Sequence, residues 1–563
     1  MTGIAPPPPE TTGGGVASPW LVHRPTLRAE TLALAVSLWF TAACNTPFWN
    51  TLLAPGEPAT AASPALIAAC VLMLTAAHFI VLVVFLNRWT TRPLLTLLVI
   101  GTAFAAYYMQ RYFVYLDPSM LRNILRTDAR EATELLSWSM LPPVAALSAP
   151  PLALVWLAKI RHTTPMRAAG FRALTIALAL ATMVTASLAC FQEFSALMRQ
   201  KKELRFLATP GNALYSLPRV LVSDARSASG KREPIGSDAV LARSWQDRKR
   251  PVLMLIVVGE TVRPANWGLS GYPRQTTPEL AATDAINFPN VTACGTNTEV
   301  SVPCMFSSLG RRNYDEARIR GSESLLHLLR RAGFRVAWLD NQSGCKGVCD
   351  GIETWQPGAS TTPALCASGG CLDEALLTGV KQIVDGTHDN LVLVMHPLGN
   401  HGPAYFKRYP VEFRQYTPTC DSADLGRCTR EEVVNAYDNA VRYTDHVLAR
   451  AIDFLRTQTT HDAAMIYVSD HGESLGEKGL FLHGVPYAIA PKEQTQVPMA
   501  MWLSPGYADS FALAPDCLRQ RASLPATHDN LFHTVLGMLD VHTATRDRRL
   551  DLSDACKPSP TPG

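Results

Sequence analysis

The chain carries little net charge for its length: 51 Lys and Arg against 47 Asp and Glu leave a formal charge of +4 over 563 residues. This balance gives no electrostatic reason to expect a nucleic-acid partner. The glycine-rich loop ending in Lys and Ser or Thr that cradles nucleotide phosphates is also missing, and no internal repeat is apparent. A nucleic-acid-binding protein and a P-loop enzyme are therefore not expected.

Charge is also scarce in the N-terminal part, where five apolar stretches are each long enough for the roughly 20-residue helix that spans a bilayer. They cover residues 31–52, 64–86, 93–112, 141–158 and 171–191. We predict a five-helix transmembrane domain over residues 26–192. A cleavable signal peptide is the alternative for the first stretch, but residues 1–20 are rich in Pro and Gly and lack a short basic segment. Residues 1–25 are therefore predicted to be a disordered cytoplasmic tail.

The distribution of basic residues sets the predicted orientation. Lys and Arg precede the first span and join the second to the third and the fourth to the fifth, whereas residues 53–63 contain neither. By the positive-inside rule the N-terminus is cytoplasmic and the soluble C-terminal part lies in a bacterial periplasm. The predicted periplasmic loop 113–140 weakens this argument, because it carries three Arg balanced by four acidic residues.

Cysteine usage agrees with an oxidising compartment. Of the 13 cysteines, three fall in the predicted spans and ten follow residue 290. The ten come as near neighbours in sequence: Cys294 and Cys304, Cys345 and Cys349, Cys366 and Cys371, Cys420 and Cys428, and the more distant Cys517 and Cys556. An even set confined to one soluble domain predicts disulfides, although pairing of the last two stays open. A cysteine-ligated zinc site is the alternative, and the scattering of the pairs along the chain speaks against it.

From about residue 251 short apolar runs alternate with helical segments. The runs 252–259, 335–340, 390–396 and 463–470 predict buried parallel strands, and 322–332, 372–384 and 430–457 predict helices. We predict an α/β/α sandwich in a periplasmic catalytic domain over residues 251–545. An interfacial helix and linker at 193–250 precede it, and a C-terminal tail at 546–563 follows.

Ligands of such sheets collect beyond the carboxyl ends of the strands. The residues there are Glu260, Asp340, Asn341, His396, His401, Asp470 and His471. Glu260, His401, Asp470 and His471, together with His483, offer carboxylate and imidazole groups, a combination that binds zinc and leaves room for a substrate oxygen. Each of these residues alone is more simply explained by a structural role, but their joint position at one sheet edge favours a metal.

Thr298 is the candidate nucleophile, in the stretch "TACGTNTEVSVPCMFSSLG". A threonine hydroxyl reacts at neutral pH only when a base or a metal takes its proton. The following residues predict a helix that begins at Thr298, where backbone amides would favour a phosphate. Capping of that helix by Thr298 or Thr296 is the structural alternative. A bond between Cys294 and Cys304 would hold this turn rigid.

Six segments closely resemble the lipid A phosphoethanolamine transferases, which include the mobile colistin-resistance enzymes and belong to the alkaline-phosphatase/sulfatase-like superfamily. They are "VVGETVR", "ACGTNTEVSVPCMFS", "DNQSGCKGVCD", "HPLGNHGPAYFKRYP", "SDHGESLGEKGLFLHG" and "APKEQTQVPM". The resemblance runs from the first span to about residue 540. The Cys or Ser followed by x-Pro-x-Arg that a sulfatase would need is absent. The chain departs from the family in its longer N-terminal tail and in the insertion "TPTCDSADLGRC".

The resemblance implies roles for individual residues. Glu260, Thr298, Asp470 and His471 would bind the catalytic zinc, and Thr298 would become phosphoethanolaminated. His401 and His483 match a pair that contacts the phosphate or a second zinc and can protonate the leaving alkoxide, with Glu473 just outside them.

Further positions match residues of the family that contact substrate. Ser343 and Lys346 are two of them, with a simple surface charge as the alternative for Lys346. In loop 113–140, Asn123, Thr127 and Glu131 fall on one face of a predicted helix. The resemblance implies that they bind the donor's head group, with Glu131 pairing to its ammonium; a solvated interfacial helix is the alternative.

The implied reaction is zinc-dependent transfer of phosphoethanolamine from phosphatidylethanolamine to a lipid A phosphate through a phosphothreonine. The enzyme would be a monomer in the bacterial inner membrane that binds one Zn²⁺ tightly, with a second left open, and it would lower susceptibility to polymyxins. Alternative acceptors are a lipopolysaccharide core sugar or another periplasmic glycan. A phosphodiesterase or hydrolase and a non-enzymatic membrane sensor are alternative activities, and the complete ligand set argues against the sensor.

Overall fold

The computed structural model describes residues 24–54, 62–87, 89–127, 129–161, 164–230, 232–367 and 370–558, without the side chains of residues 129–131 and 226–229. The chain divides into two compact units. The first takes Met1–Cys44, Ala62–Ala103 and Val144–Phe194, and the second takes Asn45–Ala61, Phe104–Pro143 and Ser195–Gly563. The predicted disordered tail falls outside the described residues up to position 23.

Within the described residues, four helices are long and apolar enough to cross a membrane. They are Pro64–Phe85, Thr91–Tyr112, Trp138–Leu157 and Pro165–Ala189. A fifth span forms if Ala29–Cys44 and Thr46–Leu53, which bend by 55°, count as one. The bend has two local causes: a π-helix at Phe40–Cys44, and Pro47 in the first turn of the next helix, whose ring cannot continue the preceding hydrogen-bond ladder. The predicted five-helix domain is confirmed in this sense.

The segment between helices Thr91–Tyr112 and Trp138–Leu157 forms two short helices, Pro118–Arg126 and Ala129–Leu135. The prediction of one continuous helix through Asn123, Thr127 and Glu131 is wrong. Thr127 has extended backbone angles, and both its N–H and its hydroxyl donate to the Asn123 carbonyl, at 2.8 and 2.7 Å. This local bonding of a threonine side chain competes with helix propagation and ends the helix. The side chain of Glu131 lies outside the described residues.

The larger unit contains an eight-stranded sheet. Its strands are β1 (Val252–Gly259), β2 (Ile286–Thr292), β3 (Arg335–Asp340), β4 (Glu353–Trp355), β5 (Leu391–His396), β6 (Asp462–Ser469), β7 (Gln496–Leu503) and β8 (Ala526–Thr527). The order across the sheet is β8-β2-β7-β6-β1-β5-β3-β4. β6, β1, β5, β3 and β4 run parallel, and β7 is antiparallel to both of its neighbours. All four strands predicted from apolar runs lie in the parallel part.

Both faces of this sheet are covered. Successive side chains of a strand point to opposite faces, and in β1 both alternating sets are buried. The helices of this part are Pro278–Ala281, Thr298–Met305, Glu316–Gly321, Leu325–Arg331, Ala375–Asp385, Arg430–Arg456, Lys492–Thr495, Pro505–Ser510, Pro515–Arg521 and Asp529–Met538. The longest begins with a capping box of Thr429 and Glu432, as its sequence favours. The predicted α/β/α sandwich is confirmed.

Shorter elements complete the chain. Helices Phe191–Gln200, Leu204–Leu207 and Gly211–Ser229 form the first part of the segment 193–250 predicted to be an interfacial helix and linker. Two-stranded pairs join Thr26–Leu27 to Lys159–Ile160, Val240–Leu241 to Val541–His542, Cys366–Ala367 to Gly370–Cys371, and Ser474–Leu475 to Phe481–Leu482.

The structure pairs ten cysteines as neighbours in sequence: Cys294–Cys304, Cys345–Cys349, Cys366–Cys371, Cys420–Cys428 and Cys517–Cys556. The disulfide Cys517–Cys556 shows that the sheet domain extends beyond its predicted end at residue 545. A C-terminal tail from residue 546 is wrong for the described part, because Cys556 is buried in the core of the sheet domain and the Ser553 side chain is fully buried. The chain packs as part of this domain up to about residue 557.

Candidate metal centre and nucleophile

The site begins where two adjacent parallel strands end. β1 and β6 pair in register, with Gly259 opposite Ser469, so the residues that follow them, Glu260 and Asp470, emerge side by side. The Asp470 N–H donates to the Gly259 carbonyl at 2.8 Å and continues the ladder by one step. The sheet therefore places two carboxylates and the next residue, His471, at one point of its carboxyl edge.

These three residues form a buried cluster of acceptors. One ligand atom from each lies within 4.8 Å of the others. His471 Nε2 is 3.3 Å from Glu260 Oε1 and 3.4 Å from Asp470 Oδ2, and all three side chains are fully buried. In the described part of the chain, none of these three atoms has a hydrogen-bond partner. Buried polar atoms without partners are costly, so the cluster is shaped for a bound cation.

His471 and Asp470 each use their other polar atom in a hydrogen bond, and these bonds orient the unbonded atoms toward the cluster. His471 Nδ1–H donates to the Gly472 carbonyl at 2.9 Å, so the lone pair of Nε2 points into the cluster. Asp470 Oδ1 accepts from the N–H groups of Thr261 and His471, at 3.3 and 2.7 Å. A set of two carboxylates and one imidazole fits Zn²⁺ and leaves a coordination position open.

The electrostatics agree with a need for positive charge. Burial and the adjacent Glu260 raise the pKa of Asp470 to about 7. Burial by itself lowers the pKa of His471, but Asp470 and Glu260 outweigh it and raise the value to about 10. Without a metal, the cluster thus retains a proton among its acceptors, which a cation would displace on binding.

Thr298 lies beside this cluster at the first residue of helix Thr298–Met305. Its hydroxyl donates to Glu260 Oε2 at 3.2 Å, and Gln342 Nε2 donates to the same oxygen at 2.5 Å. The cap of the helix is Asn297, whose side chain accepts from the Val300 N–H, so the alternative of Thr298 or Thr296 as cap is wrong. The hydroxyl of Thr298 is left facing the cluster, next to the amides of a helix N-terminus.

Two further histidines stand around the cluster. The His483 ring lies 4.4 Å from that of His471 and 5.4 Å from that of His401, centroid to centroid. His483 Nδ1–H donates to Glu473 Oε2 at 2.7 Å, and the Tyr405 hydroxyl donates to the other oxygen of Glu473 at 2.5 Å. Burial lowers the pKa of His401 to about 3, so its imidazole is neutral in the free site.

The remaining predicted residues make their hydrogen bonds to groups outside the acceptor cluster. Lys346 Nζ donates to Ser343 Oγ at 2.7 Å, and the Lys346 side chain is only 6% exposed, so a simple surface charge is excluded. Thr127 bonds back to Asn123 within its own turn. Asp340 and His396 pair with each other at 2.8 Å in a buried network that also contains Trp338, outside the acceptor cluster.

Sequence reasoning missed two residues that hold the site in place. Gln342 lies in the quoted motif "DNQSGCKGVCD" but was not singled out there, although it bonds the candidate ligand Glu260. His528 is fully enclosed: its Nδ1 accepts from the Cys294 N–H at 3.0 Å, and its Nε2–H donates to the Ser469 carbonyl at 2.9 Å. It thereby joins the nucleophile's loop to the end of β6. Only its place before an apolar helix, in "THDNLF", could have drawn attention to it.

An α/β/α sheet domain with carboxylate, imidazole and hydroxyl groups converging at its carboxyl edge defines the alkaline-phosphatase/sulfatase-like class, and the sulfatase family matches residues 253–541. The N-terminal part is specific: the family described as phosphoethanolamine transferase EptA/EptB matches residues 74–225. This chain belongs to the phosphoethanolamine transferase family and is an enzyme, as the resemblance of its motifs implied.

Individual relatives cover most of the chain. Phosphoethanolamine transferase EptA of Escherichia coli K12 is 38% identical over 474 residues, which are 83% of this chain and 86% of that protein. Phosphatidylethanolamine transferase Mcr-1 of Escherichia coli is 37% identical over 469 residues, 81% and 84% of the two chains. The structure is similar to that of the integral membrane protein lipooligosaccharide phosphoethanolamine transferase A of Neisseria meningitidis, with a TM-score of 0.88 and 33% identity over 95% of this chain and all of that one.

Proposed function

We propose that this enzyme transfers phosphoethanolamine from phosphatidylethanolamine to a phosphate of lipid A, through a phosphothreonine at Thr298. The observation that carries the proposal is the position of the Thr298 hydroxyl. It donates to a buried carboxylate at the rim of an acceptor cluster and sits at a helix N-terminus. A nucleophile, a place for a cation and amides for a phosphate thus meet at one point.

Glu260, Asp470 and His471 would hold Zn²⁺, with the Thr298 hydroxyl as the fourth group. When bound there, zinc supplies Lewis acidity that lowers the pKa of the hydroxyl and offsets charge on a phosphate oxygen. The His471–Glu473–His483 atoms also lie within 4.8 Å of one another, and they would be the place for a second ion if one binds. The donor set supports zinc, because carboxylate and imidazole are its common oxygen and nitrogen ligands.

The chain's own groups can carry out two displacements. Thr298 Oγ attacks the phosphorus of phosphatidylethanolamine, the bond from phosphorus to the glycerol oxygen breaks, and diacylglycerol leaves. Glu260 Oε2 already accepts the hydrogen bond of the hydroxyl that must lose its proton. The rings of His401 and His483 lie 5.4 Å apart, centroid to centroid, and His483, which is hydrogen-bonded to Glu473, would return a proton to the leaving alkoxide. A phosphate oxygen of lipid A then attacks the phosphothreonine and frees Thr298.

Both proposed substrates are membrane lipids, which accounts for apolar helices joined to a phosphatase-like domain. We assign the helices to a bacterial inner membrane and the sheet domain to the periplasm, where five disulfides would persist. Asn123, Thr127 and Glu131 remain proposed contacts of the donor's head group, and Ser343 and Lys346 remain proposed contacts of the substrate. Addition of an amine to anionic lipid A would weaken attraction to polymyxins.

The test is mass spectrometry of lipid A from a polymyxin-sensitive Gram-negative host that expresses the chain. The wild type should add phosphoethanolamine to lipid A, and Thr298→Ala should not. Ser301→Ala is the matched control, because its buried hydroxyl lies on the same helix and has no hydrogen-bond partner among the described residues. Unmodified lipid A from a zinc-loaded, membrane-inserted wild type would refute lipid A as acceptor, and an adduct on the core sugar would identify the alternative.

A further inference from the structure

Glu299, the residue after the nucleophile, is a buried carboxylate whose side chain is only 1% exposed. An acidic residue in the first turn of a helix is ordinarily favoured by the helix dipole, and that effect needs no burial. Burial of an ionised carboxylate is costly unless charged partners compensate it. The surroundings of Glu299 therefore indicate what the residue does.

Three cations converge on this carboxylate. Arg126 Nη1 is 3.1 Å and Arg320 Nη2 is 3.3 Å from Glu299 Oε2, and Lys346 Nζ is 3.5 Å from Oε1. Arg320 Nη2 also donates to the backbone carbonyl of Glu299 at 2.6 Å. The cations belong to three separate segments: helix Pro118–Arg126, helix Glu316–Gly321 and the loop after β3. A single carboxylate therefore links all three to the nucleophile's helix.

Two of the three cations around Glu299 are shared with other carboxylates, and the third is not. Arg126 also pairs with Asp224, and Arg320 also pairs with Glu316. Lys346 differs, because Glu299 is the only carboxylate within ion-pair distance of it among the described residues. Its side chain and that of Arg320 are only 6% and 7% exposed, so both cations depend mainly on protein groups for charge compensation. Loss of the Glu299 charge would leave a buried ammonium uncompensated.

The backbone of Lys346 is held in an unusual conformation. Its φ of +52° lies in the left-handed region, which is uncommon for a residue with a side chain. The ammonium is fixed at the same time by Ser343 Oγ at 2.7 Å. A lysine is normally a flexible point charge, and here its position is determined at both ends. Strained residues of this kind occur where the surrounding structure holds them for function.

Helix Pro118–Arg126 is held to the nucleophile's helix by the same carboxylate. Its only other polar contact with that helix among the described residues is a hydrogen bond of 3.4 Å from Asn297 to Ser119. The cavity of about 200 Å³ next to the nucleophile's helix is lined by Arg126, Arg320 and Lys346. Glu299 therefore determines how these cations stand relative to Thr298.

We infer that Glu299 is a positioning residue, which fixes Lys346 and helix Pro118–Arg126 against the helix that carries Thr298. It touches no reacting atom; it sets the distance between the groups that bind the donor's phosphoethanolamine and the nucleophile. The inference rests on the proposed function and deepens it. Its substrate class is a phosphodiester with a cationic head group.

The test compares Glu299→Gln, which keeps the shape and removes the charge, with Glu299→Asp, which keeps the charge. The assay follows diacylglycerol release from fluorescent phosphatidylethanolamine by the full-length enzyme in detergent, with zinc content measured on the same samples. Glu299→Gln should raise KM for the donor by about tenfold or more, since one partner of a buried charge pair is lost, while zinc content stays equal to wild type. Glu299→Asp should recover most of the loss. Glu323→Gln, at the rim of the same cavity and paired to Arg331, should leave KM unchanged.

A second readout needs no turnover. Hydrogen exchange of residues 118–126 should speed up in Glu299→Gln and remain as in wild type in Glu323→Gln. If Glu299→Gln does not fold, Arg126→Gln takes its place, because Arg126 is 37% exposed and its removal should raise donor KM in the same way. Unchanged donor KM and unchanged exchange would overturn the inference. A wild type that releases no diacylglycerol would instead refute the proposed function, and the exchange result would still decide the role of Glu299.

Discussion

Replacement of Gly399 by Ala should weaken metal binding, although Gly399 is not itself a candidate ligand. Gly399 has a φ of +56°, in the left-handed region, and directly backs the candidate ligand Glu260. A Cβ at this position would lie 2.9 Å from the Cβ and the carbonyl oxygen of Glu260. These distances are shorter than van der Waals contact allows, so one of the two residues must move.

The structure indicates which residue gives way. The N–H groups of Leu398 and Gly399 donate to the buried Asp373 at 2.7 and 2.8 Å, and the Asn400 N–H donates to the Glu260 carbonyl at 3.1 Å. The loop cannot withdraw without losing these bonds, so Glu260 is displaced. The backbone conformation alone costs an alanine about 1–2 kcal/mol. Disturbed orientation of a ligand typically lowers metal affinity by roughly 10–100-fold, and this is the expected effect.

Competition with a chromophoric chelator would measure Zn²⁺ affinity of the purified variant, and thermal unfolding would measure its stability. Gly271→Ala is the control, because Gly271 has a φ of +89° and no atom would lie within 4 Å of its Cβ. Both variants should lose stability through the backbone conformation, Gly399→Ala more because of its clash with Glu260, but only Gly399→Ala should lose zinc affinity. Equal zinc affinity of the two variants would refute the argument that contact with Glu260 matters.

Two other predictions concern the surroundings of the site. His528→Ala should lower phosphothreonine formation by about tenfold or more with stability reduced by about 1–3 kcal/mol, because two buried backbone groups lose their partner; trapping of the phosphorylated enzyme measures this, and an unaffected rate would contradict it. Burial raises the pKa of Glu477, but Arg263 outweighs this and lowers it from 4.5 to about 2. Since the folded pKa is depressed, this pair stabilises the fold above pH 4.5, and the contribution is lost as pH falls toward 2; chemical denaturation across this range should show a smaller decline for Glu477→Gln than for wild type.

Local sequence predicted the parts of the fold that depend on local physics. Continuous apolar runs indicated the buried strands, and long uncharged stretches indicated the helices that can cross a membrane. The rule that ligands gather at the carboxyl ends of parallel strands indicated Glu260, Asp470 and His471. The motif around Thr298 indicated both a nucleophile and a helix start, which the structure places at that residue.

The grouping of the strand-end residues needed the tertiary structure. Asp340 and His396 are the last residues of β3 and β5 and stand opposite each other in register, whereas Glu260 and Asp470 follow β1 and β6. The first pair therefore forms its own network. The end of helix Pro118–Arg126 was also not predicted. The spacing of Asn123, Thr127 and Glu131 favoured a continuous helix, but the hydrogen bond from the Thr127 hydroxyl to the Asn123 carbonyl competes with it.

The residues that hold the site together could not be found along the chain. Gln342 is 82 positions from Glu260, His528 is 234 positions from Cys294, and Glu299 meets Arg126 across 173 positions. Their residue types are ordinary, and their roles arise only from burial and from partners brought by other segments. The sequence by itself determined which groups can do the chemistry, because side-chain chemistry and strand periodicity are local. The tertiary structure alone decided which groups meet, because register, strand order and buried charge pairing are properties of the whole fold.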